Sequence, residues 1–144
     1  MLPLGRADEF FDNRGENVQG YCLQSMKAGP IKDADAVATV SFTWVDATGV
    51  ERPLKGVIGR PYQVDERHWA CPHHLEGAFE KGPDIAGADS IQALSLALYG
   101  LYHDLLRLLE EGGRLLDPRT REPFDLVTLK ATFSRSTSQF QVVK

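Results

Sequence analysis

Residues 89–113 read DSIQALSLALYGLYHDLLRLLEEGG, and the reading of this stretch decides the fold. Ile91, Leu94, Leu98, Leu101, Leu105 and Leu108 recur at spacings of three and four, which is the period of a helix with one apolar side. Ala93, Ala97, Tyr102, Leu106 and Leu109 widen that stripe. Gln92, Ser95, Tyr99, His103, Arg107 and Glu110 form the polar line opposite. Leu96 lies near the polar line, as an exposed leucine or a partner contact. Asp89 is a good N-cap with Gln92 three residues on, a variant of the capping box, and Gly112-Gly113 is a stop signal. The spacing therefore predicts a helix of about 22 residues, roughly 33 Å long. So wide an apolar arc suits a helix lying across a sheet.

Working outward, AVATVSFTWVD (36–46) alternates Val40, Phe42 and Trp44 with Thr39, Ser41 and Thr43, the period-two signature of a half-buried strand. Asp46-Ala47-Thr48-Gly49 is a turn, and a second strand from about Val50 to Ile58 pairs back, with Pro53 pointing to an edge or an irregular start. Gly59-Arg60-Pro61 ends it. A third strand is expected from His68 to Glu76, then a loop, AFEKGPDIAG, leading into the helix. After the helix, Arg114–Leu116 reads as a short strand, Asp117–Thr120 as a turn, and Phe124–Phe133 as a returning strand with Val127, Leu129, Ala131 and Phe133 on one face. The resulting fold class is α+β: an antiparallel sheet of about four to five strands with one long helix, about 89–111, packed on one face.

The organisation read from this pattern is an irregular N-terminal segment (1–35), a single α+β domain (36–134), and a C-terminal tail or edge strand (135–144). A short element around Tyr21–Met26 is left without a type. At 144 residues and 42% hydrophobic content the chain forms a core without metal or disulfide staples. Its two cysteines, Cys22 and Cys71, form no framework pattern and read as reduced thiols. The N-terminus lacks the apolar run of a signal peptide, and the most apolar stretch, Ile91–Leu109, is interrupted by polar residues that a membrane span would not carry. The expected location is cytoplasmic.

The formal charge is −4 and is unevenly placed, because every acidic residue lies at or before Asp125. Residues 1–125 carry 13 basic and 20 acidic side chains, whereas Lys130, Arg135 and Lys144 follow alone. An acidic body disfavours nucleic-acid backbones and steers neutral or basic partners toward it.

The densest chemistry is HWACPHH (68–74). Cysteine and histidine are zinc-ligand types, but strand alternation puts Trp69, Cys71, His73 and Leu75 on one face and His68, Ala70, Pro72 and His74 on the other. No second cluster completes a shell, so packing outweighs metal binding, and no metal or cofactor is expected. Cys71 and Ser90 are the visible nucleophiles; Ser90 is better explained by helix capping, and no base is placed to reach either. Asp65-Glu66, Glu110-Glu111 and Asp33/Asp35 read as solvated charges. GVIGRP (56–61) lacks phosphate-loop spacing. No catalytic residues are assigned.

Taken together, VIGRP (57–61), WACPHHLEG (69–77) and IAGADSIQALSLAL (85–98) resemble a group of small bacterial proteins that share a domain of unknown function. That group shows an I-G-R-P strand end, a W/Y-x-C-P-Y-x-I-x-G strand and a G-x-D-S/A-x-Q-A-L-x-L-A-L helix start. The resemblance spans about half the chain, roughly Val40 to Leu109. It implies a shared fold and a bacterial context, without an activity. His73 stands where that group has an aromatic residue, so the resemblance does not support a metal site.

Two functional expectations follow. The first is a non-catalytic protein-binding module, in its sharpest form an immunity-type protein that neutralises a cognate toxin, with Asp65, Glu66, Glu80 and Asp84 as contacts. Its partner would be a protein, basic for preference, and not nucleic acid or membrane; a homodimer is left open. The alternative is a small metal-binding protein or enzyme using Cys71, His73 and His74.

Overall fold

The computed structural model describes residues 31–133. Tyr21–Met26, Cys22 and the tail 135–144 lie outside them. After a short 3-10 turn (Asp33–Asp35), the chain forms β1 (Ala36–Val45), β2 (Glu51–Gly59), β3 (Tyr62–Gln63), β4 (Trp69–Cys71), β5 (His73–Glu76) and β6 (Ile85–Gly87). The long helix α1 (Ser90–Glu110), β7 (Arg114–Leu116) and the short helix α2 (Leu126–Phe133) complete the order. The strands make two antiparallel sheets, a larger one in the order β5-β2-β1-β7 and a smaller one in the order β3-β4-β6. The fold is α+β, as the sequence pattern implies. No helix among the described residues is long and apolar enough to cross a membrane.

The β1–β2 hairpin is set by its turn. Asp46 Oδ1 accepts hydrogen bonds from Thr48 N (2.9 Å) and Val50 N (3.0 Å), and Gly49 takes the positive φ of 88° that the reversal needs. Pro53 is tolerated in β2 because β5 begins pairing only at Lys55, so no neighbour awaits its missing N–H. Phe42, Leu54, Ile58 and Leu75 point from the larger sheet toward α1 and meet Ala93, Ala97, Leu101, Leu105 and Leu108 in one core. Each fully buried leucine there contributes about 2 kcal/mol through loss of apolar surface from water.

α1 starts and stops where its end signals lie. Asp89 Oδ1 accepts from Gln92 N (2.8 Å), and the Gln92 side chain reaches back to Ala88 N (2.6 Å). At the far end Gly112, with φ 89°, donates to Leu109 O and Gly113 donates to Leu108 O, a Schellman closure. The buried face is rotated from the expected stripe. Its centre is Ala93, Ala97, Leu101, Leu105 and Leu108, while Ile91 is 76% exposed and Leu98 also remains open to solvent. The reason is the closeness of the smaller sheet: a Cβ on Gly87 of β6 would lie 2.6 Å from Ala93 N, so only small helix residues fit there.

Three other expectations are corrected. The third strand is not continuous, because Pro72 interrupts it and the two halves belong to different sheets. The segment expected to be a loop before α1 contains β6. Phe124–Phe133 does not return as a strand: a single bridge between Leu116 and Pro123 precedes it, and Leu126–Phe133 forms α2 instead. Asp125 nucleates that helix, its Oδ1 accepting from Thr128 N at 2.8 Å and its carbonyl from Leu129 N at 2.9 Å. The alternation of Val127, Leu129, Ala131 and Phe133 carries no buried face, since only Leu129 is buried and Val127 is 74% exposed.

Candidate functional site

Pro72 is the point where the chain changes sheets, and the polar residues of HWACPHH gather around it. Gly59 N donates to Pro72 O (2.8 Å), and a side chain on Gly59 would collide with the proline ring, its Cβ falling 2.6 Å from Cγ. The Cys71 thiol points into this junction and donates to Gly59 O (3.3 Å). Cys71 is fully buried, and that burial, reinforced by the negative charge of Asp84, pushes its pKa up to about 11. At neutral pH it is a thiol in a packed core, the wrong protonation state for a nucleophile.

His73 and His74 diverge because they are successive residues of one strand. His73 pairs with Ile58 and faces α1, where Gly100 makes room for its ring: a Cβ on Gly100 would sit 2.8 Å from His73 Nε2. Asp104, one helical turn on, places Oδ2 4.0 Å from the same nitrogen. Burial holds the His73 pKa below its ordinary value, and the opposing pull of Asp104 does not restore it. Nδ1 of His73 is buried with no hydrogen-bond partner. His74 pairs with Val57 on the other side, and its Nε2 donates to Phe79 O at 2.9 Å. Cys71, His73 and His74 are therefore not brought to one point. Among the described residues no three His, Cys, Asp or Glu side chains converge as metal ligands.

The four acidic residues expected to meet a partner fare differently. Asp84 is only 4% exposed, and its oxygens are engaged by Tyr62 OH (2.6 Å) and Lys81 Nζ (2.7 Å). It is an internal charge, neutralised in place, and offers no surface to a docking protein. Asp65 organises the turn before β4: Oδ1 accepts from Arg67 N (2.7 Å), His68 N (2.9 Å) and the buried His68 ring at Nδ1 (2.9 Å). Desolvation alone would raise the Asp65 pKa, but the Arg67 amide and the His68 ring together bring it below the ordinary value. Glu66 and Glu80 are exposed. The loop carrying Glu80 is held to α1 by Phe79, whose ring lies 4.6 Å below the Arg107 guanidinium.

Sequence reasoning misses Tyr62, Lys81 and Asp104, which meet their partners only through tertiary structure. One local signal was present: a glycine inside an otherwise well-formed helix marks close approach by another group, and here that group is the His73 ring.

The outer face of α1 is the other feature open to a ligand. Leu96 is exposed, and Tyr99, 60% exposed, stacks edge-on against His103 with ring centroids 4.3 Å apart. Comparison with protein-family models, curated proteins and solved structures finds no match. The functional reading therefore rests on this α+β scaffold and its surfaces.

Proposed function

We propose that this chain is a non-catalytic binding module of the immunity type, which occupies and neutralises a cognate bacterial toxin. The observation carrying the reading is the outer face of α1, where Tyr99 and Leu96 stand exposed on a rigid helix in a chain of net charge −4. Exposed tyrosine anchors binding at low entropic cost, and surrounding acid groups speed encounter with a basic partner. Glu80, in the loop held to α1 by Phe79, and Glu66, in the turn before β4, supply such charge, with Asp65 contributing more weakly because its carboxylate is already engaged. Asp84 has no part in this surface.

The direct test is co-expression with the product of the adjacent gene. A one-to-one complex by gel filtration, together with rescue of cells from that product's toxicity, is the expected result. Tyr99→Ala should weaken the complex by roughly 2 kcal/mol or more if the tyrosine is a central anchor. A complex indifferent to Tyr99→Ala and Leu96→Ala would move the interface elsewhere, and absence of both complex and rescue would remove the reading.

A further inference from the structure

β1 is flanked on both sides over only part of its length. The Asp46 amide donates to Val50 O (3.0 Å), so antiparallel alternation turns the even-numbered residues of β1 toward β2. Odd-numbered residues turn their N–H and C=O the other way. β7 meets that side only from Thr43 to Val45. Among the described residues, then, nothing pairs with the outward backbone groups of Thr39 and Ser41, an open edge of the kind that recruits another strand.

Beside this edge lies a groove of about 370 Å³, with Val40 and Ile58 on its sheet side, Leu98 and Leu101 on its α1 side and Phe133 closing one end. Among the described residues its apolar rim stays open to solvent, with Leu98 37% exposed at its edge. The chain itself supplies a matching segment. Phe133 is the last described residue, and eleven more follow it, SRSTSQFQVVK. Within them QFQVV alternates Phe140 and Val142 with Gln139 and Gln141, the pattern of a strand with one apolar face. Five linking residues span up to about 17 Å, and they start from Phe133, which lines the same groove as Thr39. The tail also carries Arg135 and Lys144 without an acid, against a body rich in carboxylates.

We infer that residues 139–143 add to the Thr39–Ser41 edge of β1 as a further strand of the larger sheet, with Phe140 and Val142 turned into the groove. The inference does not rest on the toxin-binding reading, whose named residues, Leu96 and Tyr99, do not line the groove. It also assigns Leu98 to an intramolecular contact instead of a partner surface.

Amide hydrogen exchange on the full chain, on a chain ending at Ser134 and on Phe140→Asp tests it. The Thr39 and Ser41 amides should exchange at least about tenfold faster in both altered proteins, while Thr43, held by β7, stays protected. Helical circular dichroism confirms that each protein is folded, and Phe140→Leu should retain the protection. Equal exchange in all three proteins overturns the inference. So does protection that rises with protein concentration alongside a doubled mass, which would put a second copy on the edge. Loss on truncation without loss in Phe140→Asp overturns the placement of Phe140.

Discussion

At the scale of single residues, the histidines of HWACPHH owe their behaviour to what lies against them. His73 is held neutral by burial against Gly100, so its pKa is below 6.5 in the folded chain and near 6.5 in the unfolded one. The unfolded state therefore binds the proton more tightly, and folding loses stability as pH falls below about 6.5, while above that value the contribution is intact. Urea midpoints at pH 7.5 and pH 5.5 should show this loss in the native sequence and a smaller one in His73→Gln. An identical slope in the two proteins would assign the effect to another group. The carboxylates of Asp46, Asp117 and Asp125 are held low chiefly by hydrogen bonds from Thr48, Thr120 and Thr128 respectively, so their titration falls in more acidic solution and leaves this window clear.

At the scale of elements, the α1 caps and the Gly87 crossing make separable contributions. Asp89→Ala removes one capping hydrogen bond at an exposed end and should cost about 1 kcal/mol. Gly87→Ala places a methyl group 2.6 Å from a backbone nitrogen of α1, which no rotamer change relieves, and should cost more, in the range of about 1–3 kcal/mol or beyond. Denaturant unfolding of the two variants checks the order; a milder Gly87→Ala would mean that helix and sheet separate easily. The same contrast explains what could be read from sequence. α1, the hairpin and the Asp117 turn were legible because caps, alternation and turn residues act within a few positions. α2 is masked in the sequence because FDLVTLKATF alternates like a strand, although Asp125 with Thr128 three residues on marks a helix start. The split at Pro72 and the rotation of the α1 face were not legible, since both depend on a second sheet that local patterns do not announce. The Tyr62–Asp84–Lys81 cluster is hidden for the same reason, since nothing local to Asp84 in the sequence announces its burial.

At the scale of the whole molecule, charge and surface must be considered together. If acidic steering serves a basic partner, Glu66→Lys and Glu80→Lys should slow association several-fold at low salt while changing dissociation little. The difference should shrink as ionic strength rises, because exposed charges are screened over about 10 Å at 0.1 M salt. Stopped-flow binding at two salt concentrations measures it; an effect confined to dissociation would place these residues inside the contact and not around it.

The pairing of β1 with β7 has a further consequence, one that concerns synthesis. Thr43 lies opposite Leu116, and Glu51 and Arg121 form an ion pair across seventy positions. The β1–β2 hairpin can form as soon as it leaves the ribosome, but its second flank is not closed until residue 116 has also emerged. At roughly 5–20 residues per second the growing chain exposes that edge for several seconds. During that interval the nascent hairpin is open to pairing with its neighbours on the same message, so slow translation between residues 59 and 116 should favour aggregation over folding.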